Sequence, residues 1–293
     1  MKKLNHKNAL SATVSMLMTL TVCSSVSQAS DIDIYSNATG GKTTITLMLD
    51  TSGSMSESQV GGSACDLAPG TSYTAGNEPS GTTPGYTKYF CAVNIPGSSS
   101  QQKRYDRLTR LKDAIFTLMD SNQIDSNSVA MGIGQFSSQS ESDNVYTSVD
   151  GISGKIVVPA ALLSTTQRTA IKTAVANLRG RGGTPTANAY AEVAAYMLGT
   201  NTSTASNLGY SGFSKSVLGS KVGSSSTATN YQTPLSTTNT QCNGQGIYFL
   251  TDGEPNSSPA PVPLMQAALG ANGSSFSVPA TGTLPNGTQA GHG

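Results

Sequence analysis

The chain has 293 residues and a mass of 30.0 kDa, a length that folds as one or two domains. Charged residues make up 11% of it, against about 25% in an average soluble protein, and Gly, Ser, Thr and Asn fill the difference, so long uncharged loops are expected. The formal net charge is +1, which excludes the strongly basic surface of a protein that binds nucleic acid or anionic lipid.

Residues 1–29 have the pattern of a secretion signal. Three lysines precede the mostly apolar residues 9–22, and small residues at 27–29 offer a cleavage position. Cleavage removes three Lys and no acidic residue, so 17 basic and 16 acidic residues become 14 and 16, a net charge of −2. No later stretch approaches the roughly 18 apolar residues of a membrane span. We therefore expect an exported chain without a membrane span, in which residues 30–42 form a linker.

Cysteine usage fits an oxidising compartment. Cleavage of the signal leaves three of the 4 cysteines. Cys65 and Cys91 lie in one loop-like stretch that has little else to fix it, and we predict that they form a disulfide. Cys242 is then either free or paired with a cysteine outside this sequence.

The first half of the exported chain predicts a strand, a long loop and a helix. Residues 43–49 are apolar and rich in β-branched side chains, which predicts a buried strand that ends at Asp50. Residues from about 57 to 102 are rich in Gly, Ser, Thr and Pro, which predicts a loop insertion with at most a short strand at 86–90. Apolar residues at three- and four-residue spacing then predict an amphipathic helix over 103–120.

Two further strands and a helix follow. The short apolar run at 128–136 predicts a second buried strand, and residues 155–158, followed by Pro159, predict an edge strand. Ser164 and Gln167 match a capping box, after which apolar residues recur at helical spacing as far as Gly180.

A Gly-Gly-Thr-Pro segment marks the start of the next helix. Thr184 fits the N-cap and Pro185 the first helical position, and the apolar face continues to Gly199. Residues from about 200 to 245 are dominated by Ser, Thr, Asn and Gly, which predicts a second loop insertion. Residues 247–250 then predict a strand.

Strands that alternate with amphipathic helices predict an α/β fold with a doubly wound, mostly parallel sheet. In such a sheet the ligand-binding loops follow the carboxyl ends of the strands. On this prediction one domain spans residues 43–270, with a short helix at 264–269 near its end. Residues 271–293 are a low-complexity tail rich in Gly, Ser and Pro.

Oxygen-bearing side chains stand in three separate loops, each directly after a strand or before a helix. They are Asp50, Ser52 and Ser54 in the first loop, Thr184 in the second and Asp252 in the third. Each alone is explained by an ordinary Asx turn, helix N-cap or tight turn. If the first and last strands are neighbours, the loops converge, and oxygen ligands with water favour Mg²⁺ or Mn²⁺ over Zn²⁺.

The same three segments resemble the metal-ion-dependent adhesion site of von Willebrand factor type A (vWA) domains. The matching residues are Leu49-Asp50-Thr51-Ser52-Gly53-Ser54-Met55, Gly183-Thr184-Pro185 and Leu250-Thr251-Asp252-Gly253. The resemblance implies a Rossmann-like fold in which Ser52, Ser54 and Thr184 contact the cation directly and Asp50 and Asp252 act through water. One coordination position would remain for an Asp or Glu carboxylate of a protein ligand. No counterparts of the last two strands of that fold are recognisable.

A narrower resemblance combines the signal peptide, the cysteine-bearing insertion after the first loop and the segment 248–256. It is similar to the amino-terminal region of type IV pilus tip adhesins of the PilY/PilC type, apparently truncated. That resemblance implies an exported, metal-dependent adhesin domain at the bacterial cell surface, the pilus tip or the periplasm. Its partners would be a host surface, matrix or pilus protein, including minor pilins. The alternative is a structural pilus-assembly component that binds no receptor.

An enzymatic function is not expected. His6 lies in the signal segment and His292 in the tail, so neither a His-based catalytic triad nor a Zn–His site can be assembled in the domain. Asp50 and Asp252 provide an acid–base pair in principle, but no nucleophile stands beside them in the sequence. We therefore expect a binding module.

Overall fold

The computed structural model describes residues 42–55, 65, 75–79, 84–121, 123–137, 152–180, 182–205, 210–224, 226–235, 244–253, 255–256, 258 and 261–277. The predicted signal peptide, all of the predicted linker except Lys42, and Cys242 lie outside these residues. Among the helices of the described residues, none is long and apolar enough to cross a membrane.

The described part of the chain contains both strands and helices. The strands are β1 (Thr43–Asp50), β2 (Ala75–Pro79), β3 (Thr87–Asn94), β4 (Gln101–Tyr105), β5 (Val129–Phe136), β6 (Gly154–Leu162) and β7 (Gln245–Leu250). The helices are α1 (Arg107–Asp120), α2 (Thr165–Ala176), α3 (Thr186–Leu198) and α4 (Pro261–Leu269).

Within the described residues, the main sheet has four strands in the order β6-β5-β1-β7. Strand β1 pairs in parallel with β5 on one side and with β7 on the other, and β6 is an antiparallel edge strand. The prediction of an α/β fold with a mostly parallel sheet is therefore confirmed, and the architecture is compatible with a Rossmann-like fold. The neighbouring positions of β1 and β7 meet the condition for the predicted convergence of loops.

Helices cover both faces of the sheet. Alternate residues of β1 point to opposite faces. Leu49 belongs to an apolar cluster with Ile115 of α1 and Ile171 of α2. Met48 belongs to a second cluster with Tyr196 of α3. Because Leu49 and Met48 are both fully buried, each stabilises the sheet by about 1.5–3 kcal/mol, and β1 is held from both sides.

The first insertion is more regular than a loop. Its strands β2, β3 and β4 form a separate three-stranded antiparallel sheet. The predicted short strand at 86–90 is confirmed as part of β3, but the prediction of a loop was wrong for β2 and β4, and so was the predicted helix start at residue 103. Lys103 pairs with Ala92 of β3, and helix α1 begins only at Arg107, where the Asp106 side chain caps it by accepting from the Thr109 N–H at 2.7 Å.

The second insertion is anchored to α3 by one buried carboxylate. Glu192 Oε2 accepts hydrogen bonds from the Thr202 hydroxyl at 2.7 Å and the Gly212 N–H at 2.8 Å, and Oε1 accepts from the Tyr231 hydroxyl. Burial raises the pKa of Glu192, and these hydrogen bonds oppose the rise. The described parts of the insertion hold only short 3₁₀ turns and one isolated bridge between Lys221 and Tyr231, in line with the predicted loop.

The first residues of the predicted tail follow directly on α4. Residues Gly270–Ser275 form a 3₁₀ helix directly after α4, and Gly273 is buried. Within the predicted low-complexity tail, the described residues 271–275 therefore have regular structure. The compositional bias towards Gly and Ser does not prevent this turn, because the Gln266 side chain donates to the Phe276 carbonyl at 3.0 Å and closes it.

A buried lysine joins α1 to the end of α2. Lys112 Nζ donates to the Ala176 carbonyl at 3.0 Å and to the Leu178 carbonyl at 2.7 Å. Burial, with a smaller contribution from Arg179, lowers the pKa of Lys112 to about 7. The two carbonyls, at the negative end of α2, favour the protonated amine and limit this effect.

The lowered pKa of Lys112 predicts that stability rises with pH. Above about pH 7 the folded protein releases a proton that the unfolded chain keeps until about pH 10.5, so the unfolded state binds more protons. The free energy of unfolding should increase between about pH 7 and pH 9 by at most about 1.4 kcal/mol per pH unit, and the Lys112→Met variant should lack this component. Urea denaturation at several pH values in this range measures the free energy of unfolding of both proteins. Equal slopes of this free energy against pH in the two proteins would contradict the prediction.

Cys65 and Cys91 lie at disulfide distance, with 6.2 Å between their Cα atoms and a sequence separation of 26. Both residues are fully buried, and Cys91 lies within β3. The bond links the middle of the small sheet to the segment that follows the first predicted ligand loop.

Removal of the disulfide should destabilise the protein. Closing a loop of this length stabilises by about 3.5 kcal/mol, because it restricts the unfolded chain. The Cys65→Ala/Cys91→Ala variant should unfold at lower urea concentration than the parent under oxidising conditions. In dithiothreitol the two proteins should unfold together, and a difference that persists there would point to lost packing instead.

Candidate metal centre

The carboxylate of Asp50 is buried at the carboxyl end of β1. Its Oδ1 accepts from the Ser52 N–H at 2.7 Å, which is the Asx turn expected from the local sequence, and its Oδ2 accepts from the Thr251 hydroxyl at 2.7 Å. Burial raises the pKa of Asp50, the negative charge of Asp252 adds to the rise, and the hydrogen bonds from Ser52 and Thr251 oppose it. A positive charge here would favour the ionised carboxylate.

The hydroxyl groups of the first loop connect Asp50 to Asp252 through hydrogen bonds. A 3₁₀ turn at Gly53–Met55 places Ser52 Oγ 3.0 Å from Ser54 Oγ. Ser54 Oγ donates to Asp252 Oδ1 at 2.8 Å, although the two residues are 198 positions apart in the chain. The structure thus brings four of the five predicted ligand residues into one hydrogen-bonded chain.

The loop that carries Thr184 is joined to the first loop by the backbone. The Gly53 N–H donates to the Gly182 carbonyl at 2.9 Å, and Gly182 has φ +82°, a conformation that favours glycine. Thr184 is buried, and its N–H donates to Asn256 Oδ1 at 2.8 Å. The Asn256 N–H returns a bond to the Thr184 carbonyl at 2.9 Å, which fixes the loop against the segment after Asp252.

The predicted capping role of Thr184 was wrong. Helix α3 begins at Thr186, and its N-cap residue is Pro185, which provides no side-chain hydrogen bond. The Thr184 carbonyl instead accepts from the Thr186 N–H at 2.8 Å. The Thr184 hydroxyl is therefore not used to cap the helix, which is compatible with a role as a ligand.

The donor set fits a small hard cation. All five predicted ligand side chains provide oxygen, and the described residues contain no group of three or more His, Cys, Asp or Glu side chains that could hold a metal ion. A cation at this position would therefore depend on the Ser and Thr hydroxyls as well as on the two carboxylates. Adjacent ligands of an octahedral Mg²⁺ at about 2.1 Å lie about 3.0 Å apart. The spacing of 3.0 Å between Ser52 Oγ and Ser54 Oγ matches this value. Asp252 Oδ1 lies 2.8 Å from Ser54 Oγ and accepts a hydrogen bond from that hydroxyl, which does not require direct contact between Asp252 and the cation.

Three residues outside the predicted ligand set complete the site. Thr251 binds Asp50, Asn256 binds the backbone of Thr184, and Arg107 forms an ion pair with Asp252 through Nη1 and Oδ2 at 2.6 Å. Thr251 and Asn256 lie in the same sequence segment as Asp252, so the sequence pattern of that segment already included them. Nothing in the local sequence marked Arg107, because the helix was predicted to start four residues too early.

A cavity of about 430 Å³ opens beside Asp252 and Arg107. Its remaining lining residues are Met55, Arg110, Leu111, Leu250 and Thr251. The cavity combines apolar walls with two arginines and borders the predicted cation ligands, so a partner side chain that enters it meets both a positive charge and the site.

Comparisons with known proteins identify no relative. No family model matches the chain, and neither a curated protein nor a solved structure is similar enough to show a relationship. The resemblance to vWA domains therefore rests on the three sequence segments alone.

Asn256→Ala should weaken the site although Asn256 is not a predicted ligand. The buried Thr184 N–H loses its acceptor, and we expect the free energy of unfolding to fall by about 1 kcal/mol. Mg²⁺ should also bind more weakly, because the Thr184 loop is less fixed. Urea denaturation in chelator and calorimetric titration with Mg²⁺ measure the two effects. Asn256→Asp, which keeps the acceptor oxygen, serves as control; equal losses in both variants would exclude the acceptor as the cause.

Proposed function

We propose that this chain is a metal-dependent binding domain of the vWA type. Ser52, Ser54 and Thr184 would contact one divalent cation, Mg²⁺ or Mn²⁺, and Asp50 and Asp252 would complete the shell through water. The cation would bind one carboxylate oxygen of an Asp or Glu side chain from a protein ligand. Adhesion is then the function, and no chemical reaction is required.

The observation that carries this proposal is the hydrogen-bonded chain from Asp50 through the loop hydroxyls to Asp252. Its members come from the ends of two neighbouring parallel strands, where α/β sheets bind ligands. An Asx turn explains the Asp50 contact with the Ser52 N–H, but it does not explain why Ser54 and Asp252 meet. A shared cation explains all of these positions at once.

The electrostatics of the site support the same function. Two carboxylates face one another across the loop hydroxyls, and the burial of Asp50 makes its ionised form costly without a counter-charge. A divalent cation would supply that charge. The residues of the chain fill only part of an octahedral shell, so an acidic side chain of the ligand can take the open position.

The biological setting that we propose is a type IV pilus tip adhesin or a closely related surface protein. The signal-like residues 1–29 and the cysteine-bearing insertion after the first ligand loop support this setting. The insertion folds into its own antiparallel sheet, and so it can act as a rigid element beside the site. A structural role in pilus assembly uses the same domain; loss of attachment with normal piliation would favour the adhesin, and loss of pili would favour assembly.

The variant Asp50→Asn tests the metal centre. Saturating Mg²⁺ or Mn²⁺ should raise the melting temperature of the parent, since a ligand at a hundredfold its Kd stabilises by about 2.7 kcal/mol. The variant should lose this shift. In chelator it should be as stable as the parent or more so, because a buried amide carries no charge and the Thr251 hydroxyl can rotate to accept from it.

The matched control is Asp125→Asn, which removes an exposed carboxylate outside the site and should keep the full metal-dependent shift. Differential scanning calorimetry of the three proteins, each with chelator and with Mg²⁺, gives all of the comparisons. A parent protein whose melting temperature does not respond to either cation would refute the proposed metal centre.

A further inference from the structure

The site already contains one positively charged side chain, that of Arg107. Arg107 is the first residue of α1, and its Nη1 lies 2.6 Å from Asp252 Oδ2 and 3.2 Å from the Ser54 carbonyl oxygen. The Arg107 side chain is 26% exposed and the Asp252 side chain 8%. A guanidinium fixed to a carboxylate of a cation site opposes the binding of a second cation there.

Arg107 changes the net charge of the site by one unit. Asp50, Asp252 and Arg107 together carry −1 −1 +1, or −1. A divalent cation brings the site to +1, whereas the same site without Arg107 would become neutral. The guanidinium therefore leaves the loaded site with an excess positive charge, and a ligand carboxylate would neutralise it.

The position of Arg107 makes this charge available to a ligand. The residue lines the cavity beside Asp252, together with Arg110, and the cavity walls are otherwise mostly apolar. A ligand carboxylate that enters from this side would approach the guanidinium and the predicted cation together. Guanidinium groups suit carboxylates because their N–H groups match the two oxygens.

We infer that Arg107 is a specificity-determining residue that lowers the affinity of the empty site for a divalent cation and raises the affinity of the loaded site for a carboxylate. The bound cation and the ligand carboxylate attract each other directly, so each strengthens the binding of the other. This inference rests on the proposed metal-dependent function, and it adds that the domain holds its cation firmly only while an acidic partner is bound.

The variant Arg107→Gln separates the two effects, because they change in opposite directions. Calorimetric titration with Mn²⁺ alone should show about tenfold tighter binding than in the parent. At saturating Mn²⁺, an acetylated and amidated Gly-Asp-Gly peptide should bind about tenfold more weakly to the variant. A residue that only supports the fold would weaken both equilibria together.

Three controls accompany this test. Arg107→Lys keeps the charge and should retain most of both effects, and the matched Gly-Asn-Gly peptide should bind neither protein. Arg104→Gln removes an exposed arginine of β4 and should leave both affinities unchanged.

The outcomes distinguish this inference from the proposed function. A parent that binds no Mn²⁺ overturns both. A parent that binds Mn²⁺ but not the aspartate peptide, or an Arg107→Gln variant whose two affinities are unchanged or change in the same direction, overturns the inference and leaves the metal centre in place.

Discussion

The pairing of β1 with a parallel strand on each side is the constraint on which the rest of the molecule depends. Because both edges of β1 are hydrogen-bonded and both faces are covered, its side chains from Thr46 to Asp50 are buried. Leu49 lies opposite Leu250, so Thr251 and Asp252 emerge beside the carboxylate of Asp50. The register of two strands that are far apart in sequence thus assembles the candidate cation site.

The charge of that site depends on an element that carries none of the predicted ligands. Strand β4 continues to Tyr105, and Asp106 then caps α1, so Arg107 occupies the first helical position. Had the helix started at residue 103, Arg107 would lie one turn inside it. The small antiparallel sheet therefore determines where a guanidinium faces Asp252, and it links the first insertion to the electrostatics of the site.

Local sequence patterns predicted a helix or strand best where a single local hydrogen bond fixes its end. Ser164 caps α2 by accepting from the Gln167 N–H at 3.2 Å, as the sequence indicated. The helix predicted from residue 103 failed because apolar spacing does not show that Lys103 pairs with β3. Thr184 has the composition of an N-cap, yet the backbone bonds to Asn256 and Thr186 hold it one residue outside that position.

The sequence by itself determined the buried strands, most of the helices and the oxygen-bearing loops, because hydrophobic period and turn chemistry are properties of neighbouring residues. Only the tertiary structure decided that β1 and β7 are adjacent, that Ser54 meets Asp252, and that Arg107 neutralises a carboxylate 145 residues away. Strand order and ion pairing over such separations depend on how whole elements pack, and no local pattern encodes that packing.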